Sequence, residues 1–310
     1  MASVAAERLE RVELDESRQE FLARSARFAF PLEIAERAIE VRFDDVDVRD
    51  AFASRFTHHV SHRPPEFRYY VAGTNGAKYF WSARSQPWRW PSAISAKVTA
   101  FLADAAVVSA IVRSDAKLLS LHAAVVANAG RIAAIGGASW AGKSTTAVAC
   151  VRSGMQFYSD ERLLVRDGTV YPFQRLCTLR PQSRTLLAAD GIDDALGIAL
   201  AHDAAPDRDW SDVSIADVFG AHRIGRQGPL AAAFVLTGRA SQPSIHPIPH
   251  HEAAPALFEW MDSREGDFKR FAQLIELLAR VRCYALELGT PKATADAIAE
   301  VLDRIELDGN

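Results

Sequence analysis

Cysteine is scarce in this sequence. Three occur in 310 residues, Cys150, Cys177 and Cys283, odd in number and far apart. That excludes a disulfide framework, leaves no C-x-x-C ligand pair, and points to a reduced, cytoplasmic setting. No apolar run approaches the roughly 18 residues that a membrane-spanning helix needs. The opening Met-Ala-Ser-Val-Ala-Ala-Glu-Arg lacks the basic-then-apolar order of a secretory signal. An excess of one charge is missing too. The formal net charge is −3, so no global basic field draws the chain to nucleic acid or to an anionic membrane. No repeat of fixed period and no long low-complexity segment interrupts the pattern.

What remains is ordinary globular material, 49% hydrophobic and 24% charged, enough for a sizeable core. The length suits about two domains, and the texture divides near residue 105. Residues 1–105 read as a mixed α/β region, suited to substrate recognition or oligomerisation. Within it, 67–71 and 78–81 read as strands of a hairpin around Asn75-Gly76. An apolar stripe predicts a helix from near Ser92 to about Ser114. Residues 106–310 then turn to short apolar strands with tight turns. Strands are expected at 121–127, 131–135, 156–159, 162–165, 169–173, 230–237 and 283–288. Helices are expected at 143–152, 268–282 and from Thr290-Pro291 to about residue 307.

Between strand 131–135 and helix 143–152 stands Gly137-Ala138-Ser139-Trp140-Ala141-Gly142-Lys143-Ser144. It fits G-x-x-x-x-G-K-[ST] at every fixed position. Glycines let backbone N–H groups turn inward around phosphates, and the following helix directs its positive end at the same anion. The pattern makes Gly137, Ala138, Ser139, Trp140, Ala141, Gly142, Lys143, Ser144 and Thr145 candidates for binding ATP. Lys143 would reach the β- and γ-phosphates, and the Ser144 hydroxyl would coordinate Mg²⁺. A chance Gly-Lys-Ser turn is the plainer alternative, which the strand–loop–helix context disfavours.

Asp160-Glu161 follows only 16 residues after Ser144. A strand next to the loop's own strand would deliver Asp160 to the phosphate end of the sheet. Two adjacent acids there can divide the work, one taking a proton from a hydroxyl and the other helping to hold the metal. A solvated strand end is the competing reading.

His122-Ala123-Ala124-Val125, a hairpin, the glycine loop and Tyr158-Ser159-Asp160-Glu161 together resemble the catalytic domain of HPr kinase/phosphorylase. The resemblance is closer to the HPr-kinase-like proteins of bacterial gene clusters, including those that phosphorylate lasso-peptide precursors. It covers about residues 115–310. It implies an α/β fold, a P-loop core of the HPr kinase/phosphoenolpyruvate carboxykinase type, behind a mixed α/β N-terminal domain. It also implies assembly into a homo-oligomer. By position, Asp160 matches the family's catalytic aspartate and Glu161 the second, metal-supporting acid, which is Asp in typical members. His122 matches the histidine near the γ-phosphate. Leu179-Arg180-Pro181 resembles a segment of HPr-kinase-like proteins, so Arg180 would neutralise charge on the transferring group. As plain residues, His122 could be a buried strand histidine and Arg180 a surface arginine before proline. Arg223 and Arg226 are weaker candidates of the same kind.

Two features depart from the family. A late Pro-Gly-Arg-Asn type loop, used in the phosphorylase direction, is missing, and residues 1–105 do not resemble the usual N-terminal domain. Dephosphorylation and HPr itself as substrate are therefore not expected. His58, His59 and His62 have metal-like spacing without a fourth ligand. The aromatics Tyr79, Phe80, Trp81, Trp88 and Trp90 read better as strand core than as a peptide grip. The expected activity is ATP-dependent phosphorylation of a Ser or Thr hydroxyl on a protein or peptide. A small hydroxylated acceptor, or a nucleotide-binding protein without turnover, are the alternatives.

Overall fold

Short apolar strands build a six-stranded sheet, a nine-stranded sheet and a small two-stranded one among the described residues, and the chain divides into residues 1–114, which hold the first, and residues 115–310, which hold the other two. The computed structural model describes residues 10–74, 77–82, 85–91, 94–191, 194–202, 210–261 and 267–306. Both units mix helices with sheet, so the protein is an α/β protein.

The first unit carries six strands: β1 (Glu10–Arg11), β2 (Phe28–Ile34), β3 (Arg37–Phe43), β4 (Phe67–Thr74), β5 (Ala77–Ser82) and β6 (Ser85–Pro91). Their order is β1-β6-β5-β4-β3-β2. Helices α1 (Glu16–Ser25), α2 (Val46–Ala53) and α3 (Ala96–Ser114) complete it. Strands β3 and β4 run parallel because α2 lies between them in sequence, while the other pairs are antiparallel. The Asp15 carboxylate caps α1 by accepting from Arg18 N–H at 2.8 Å. Leu22 of that helix and Ala26, which follows its last residue, pack on Ala72, Ala77, Tyr79 and Trp81. A separate cluster gathers Phe30, Phe43 and Phe56 around Phe52, with ring centroids 4.8–5.9 Å from it. The expected hairpin is present from Tyr69↔Ser82 to Thr74↔Ala77. Its Asn75-Gly76 turn lies outside the described residues, as does Ser92. Helix α3 continues through residues 105 and 106 to Ser114.

The second unit holds β7 (Leu118–Leu121), β8 (Ala123–Asn128), β9 (Arg131–Gly136), β10 (Gln156–Ser159), β11 (Leu163–Arg166), β12 (Thr169–Tyr171), β13 (Cys177–Leu179), β14 (Ser211–Val213), β15 (Gly228–Arg239), β16 (Ser244–Pro247) and β17 (Arg282–Leu288). Its helices are α4 (Lys143–Arg152), α5 (Pro181–Ala189), α6 (Asp194–His202), α7 (Ile215–Phe219), α8 (His250–Phe258), α9 (Asp267–Leu278) and α10 (Pro291–Asp303). The main sheet runs β10-β8-β9-β15-β17-β16, and β12, β11 and β7 join it where β12 pairs the start of β15. Strand β9 is parallel to β15 and β15 to β17. Strand β8 is antiparallel to both β9 and β10. Two antiparallel steps make β10 parallel to β9, so β9, β10, β15 and β17 all end at one edge of the sheet.

Period-two alternation sends the strand side chains into two cores. Ala133 and Ile135 meet α4 and α10 through Ala147, Val148, Val151, Ala295, Ile298 and Leu302 on one face. On the other, Ile132 and Ala134 join the cluster that includes Ala253, Leu257, Leu274 and Leu278 of α8 and α9. The sheet is thus sandwiched between helical layers, and its strands read as unbroken apolar runs because both faces are covered.

Two expectations change. The strand expected at 121–127 is split at His122, whose N–H donates to the Trp260 carbonyl at 2.7 Å instead of to a ladder partner. Strand β10 is not next to β9, because β8 lies between them. The Asp167-Gly168 hairpin is as expected: both residues have positive φ (50° and 80°) between β11 and β12, as a type I′ turn requires. Among the described residues no helix is long and apolar enough to cross a membrane.

Candidate functional site

Strand β9 ends at Gly136, and the chain crosses residues 137–142 to enter α4 at Lys143. Gly142 has φ 114°, and a Cβ there would lie 2.7 Å from the Arg239 guanidinium and 2.9 Å from Leu288 Cδ1. A Cβ on Gly137 would sit 2.8 Å from Leu236 Cβ. Only glycine fits at either position, the first for its left-handed backbone and the second for close approach to β15. The loop closes on itself through Ala141 N–H to Ala138 O at 3.1 Å. The first intrahelical bond of α4 is Thr146 N–H to Gly142 O at 2.9 Å, and Gly142 brings no side-chain cap. The N–H groups of Gly142, Lys143, Ser144 and Thr145 are therefore left without intrahelical acceptors, at the positive end of the helix.

Lys143 is buried, 5% exposed. Its ammonium donates to Gly137 O at 2.8 Å and Ala138 O at 3.0 Å, and it lies 5.9 Å from the centroid of the Trp260 ring. Loss of water pulls its pKa down to about 8, against an opposing pull from Asp160. A cation held by two carbonyls and short of solvent suits an anion such as a polyphosphate.

Asp160 comes directly after β10, at the edge where β9 also ends. Ser159 fixes the turn, its hydroxyl accepting from Glu161 N–H at 3.1 Å and Arg162 N–H at 2.9 Å. Ala123 N–H donates to Glu161 O at 3.1 Å and ties the turn to β8. The Asp160 side chain is buried, which pushes its pKa up, while the Arg175 charge and hydrogen bonds from the Cys177 thiol and the Ser144 hydroxyl pull it down. The two acids share the Arg175 charge but differ in their other partners. Asp160 meets Ser144, whereas Glu161 forms an ion pair with the buried Arg175, whose guanidinium also lies over the Phe173 ring.

Arg180 immediately precedes α5, and its guanidinium carbon stands 3.1 Å from the centroid of the Trp140 ring. Trp140 itself is exposed and has φ 71°. Thr145 is buried and donates to the Ser183 hydroxyl at 2.8 Å. Ala138 and Ser139 are exposed, and Ser144 is half-buried. His122 is half-buried beside Trp260 in an apolar cavity with Leu121, Leu163 and Leu257. Arg223 binds the Gly154 carbonyl, past the far end of a helix about 15 Å long. Arg226 accepts at its carbonyl from the Tyr158 hydroxyl.

The structure therefore brings Lys143, Ser144 and Asp160 together, with Arg180 on the loop's Trp140. It also adds residues that the sequence reading missed: Arg175, Cys177, Ser183, Arg239 and Trp260. Arg239, at the end of β15, donates to Ala141 O at 3.3 Å. Only Arg239 carried a local signal, a basic residue at the end of a long apolar strand. The others arrive through tertiary folding. The Ser144 hydroxyl and Asp160 carboxylate offer hard oxygen donors of the kind Mg²⁺ takes. Among the described residues, no cluster of three or more His, Cys, Asp and Glu side chains could hold a metal ion.

No protein-family model and no curated protein sequence matches the chain. Among solved structures it is similar to the Hpr(Ser) kinase/phosphatase from Coxiella burnetii, at 12% identity and a TM-score of 0.29 over 60% of this chain and 93% of that one.

Proposed function

We propose that this chain is an ATP- and Mg²⁺-dependent kinase that transfers the γ-phosphate to a Ser or Thr hydroxyl of a protein or peptide. One observation carries the reading. A desolvated carboxylate, Asp160, is hydrogen-bonded to Ser144 and paired in charge with Lys143 at a glycine-lined helix N-terminus. Phosphoryl transfer asks little of a protein beyond positioning and charge neutralisation, and those are what this arrangement offers.

In this reading the open N–H groups of α4 and Lys143 hold the β- and γ-phosphates. The Ser144 hydroxyl would hold Mg²⁺, which when bound would supply charge neutralisation for the transfer. Glu161, held by Arg175, keeps negative charge at the same strand end. The acceptor oxygen bonds to the γ-phosphorus as the bond to the β–γ bridging oxygen breaks. ADP leaves, and the hydroxyl proton passes to Asp160, whose raised pKa makes it a better base. Arg180 meets the charge that develops on the transferring group.

The test is labelled ATP with Mg²⁺ against a panel of Ser- and Thr-containing peptides and free hydroxylated compounds. A labelled peptide is expected, and Asp160→Asn should abolish labelling while Mg·ATP still binds. Labelling that survives Asp160→Asn removes Asp160 from the role of base. Failure of the wild-type protein to bind Mg·ATP overturns the whole assignment.

A further inference from the structure

Trp140 is the least expected residue of the loop. A large aromatic at 64% exposure gains little from burial, and φ 71° is a backbone region that non-glycine residues rarely adopt. Such outliers persist where surrounding structure or function requires them. The Arg180 guanidinium carbon lies 3.1 Å from the centroid of this ring.

Arg180 is held from two further directions. Pro181 follows it and restricts it to extended backbone, observed at φ −90° and ψ 165°. The helix that starts at Pro181 is pinned to the loop's own helix by the bond from Thr145 to Ser183 at 2.8 Å. Backbone and helix are thus fixed, while the long side chain keeps several further rotatable bonds, whose freedom each contact reduces. Stacking on an indole adds such a restraint and leaves the guanidinium charged and in its planar fork geometry.

The geometry points to Trp140 as a positioning residue that shelves Arg180 beside the phosphate loop for an anionic ligand. The inference rests on the loop being a polyphosphate site, as proposed above. It adds a role for the one bulky side chain that the G-x-x-x-x-G-K-[ST] pattern leaves unspecified. The same stack gives the loop a way to report what it binds, since a ligand that engages Arg180 alters the surroundings of the indole.

A double-mutant cycle on Mg·ATP affinity tests it, with Trp140→Ala, Arg180→Ala, the pair, and Trp140→Phe, all checked for intact folding by circular dichroism. Each alanine variant is expected to weaken Mg·ATP binding about tenfold. The double variant should be no weaker than Arg180→Ala alone, because both changes remove one arrangement. Trp140→Phe keeps an aromatic shelf and should bind within about threefold of wild type. The wild-type emission spectrum should change on adding Mg·ATP, with the change lost in Trp140→Phe. Losses that multiply in the double variant, or a Trp140→Phe as weak as Trp140→Ala, overturn the shelf. A wild-type protein that binds Mg·ATP with this coupling but transfers no phosphate retains the shelf and loses only the kinase assignment.

Discussion

Lys143 and Asp160 meet at the base of the loop, and burial outweighs charge at both: Asp160 opposes the shift of the lysine, while Arg175 is the main charge opposing that of the aspartate. The lysine pKa falls to about 8 and the aspartate pKa rises. Each group is drawn toward its neutral form, so each charge costs stability in the ligand-free fold. The lysine shift from 10.5 to about 8 corresponds to about 2–3 kcal/mol at about 1.4 kcal/mol per pKa unit, with allowance for partial solvation. Lys143→Met should therefore make the ligand-free protein more resistant to urea at pH 7. The sign follows from proton counts. Between about pH 8 and 10.5 the unfolded chain binds more protons than the fold at this position, so wild-type stability rises with pH there and the variant's advantage shrinks. Asp160→Asn should stabilise in the same sense near neutral pH. Urea denaturation of the three proteins at pH 7 and pH 10 checks both, and a less stable Lys143→Met at pH 7 contradicts the account.

Nucleotide binding should carry a proton with it. A polyphosphate beside Lys143 favours the ammonium, whereas the ligand-free lysine begins to lose its proton near pH 8. Above that pH, binding requires proton uptake and apparent affinity falls by up to about tenfold per pH unit. Calorimetric titration of Mg·ATP at pH 8.5, in two buffers of different ionisation enthalpy, should report net proton uptake. Equal heats in the two buffers would show that no such proton moves.

The Glu161–Arg175 pair makes a prediction about the metal. Arg175 is almost fully enclosed, its side chain 4% exposed, while that of Glu161 is 33% exposed. Glu161→Gln removes the counter-charge of a buried guanidinium and should cost about 1–3 kcal/mol, less than for a wholly buried pair because water still reaches the carboxylate. The Mg²⁺ concentration that half-saturates activity should move by less than about threefold, because Mg²⁺ keeps most of its waters and takes few protein oxygens. Thermal melts and a Mg²⁺ titration separate the two effects. A large rise in Mg²⁺ requirement with unchanged stability would make Glu161 a direct metal ligand.

Much of this geometry was legible in residues 121–171. The glycine loop, its strand and its helix follow from local pattern, since Gly142 and Gly137 stand where a Cβ has no room. The Asp167-Gly168 hairpin follows from turn chemistry. The β8 strand between β9 and β10 was not legible, because strand order depends on pairing that no local pattern encodes. Nor was the partnership of Arg175 with Glu161 or of Cys177 with Asp160. The segment that supplies Cys177 is only three residues long, and its pairing partner β14 lies more than thirty residues further on. In the first unit, β2 and β3 escaped notice because Ala35 and Glu36, which turn between them at φ 47° and 64°, carry none of the usual turn residues.

Ser159 is small, buried and easily overlooked, yet its hydroxyl accepts two backbone N–H groups in the turn that presents Asp160. Ser159→Ala leaves both donors unsatisfied, at a cost of about 1–3 kcal/mol. It also frees the turn, so the carboxylate loses its fixed relation to the loop. Transfer should fall about a hundredfold, because small misplacement of a reacting group is costly, while Mg·ATP affinity stays within about threefold, since the loop's N–H groups and Lys143 are untouched. Rate and affinity measured on the same preparation decide it, and a parallel loss of both would mean the damage has spread to the loop.

In the first unit, Arg55 and Asp104 form an ion pair at 3.0 Å with side chains 7% and 0% exposed, and the guanidinium carbon also lies 5.3 Å from the Phe101 ring centroid. Two enclosed charges are costly to create and more costly to separate. Asp104→Ala should destabilise the protein by about 3–5 kcal/mol, because it strands a buried guanidinium. Replacing both, as Arg55→Met with Asp104→Leu, should restore most of that loss, since an apolar pair needs no desolvation of charge. Urea denaturation of the full chain, followed by tryptophan emission, reads the difference, because Trp81 and Trp90 are both buried in this unit. A double variant as unstable as Asp104→Ala would show that the site depends on the charges themselves, through neighbouring polar contacts, and not on filling the space they occupy.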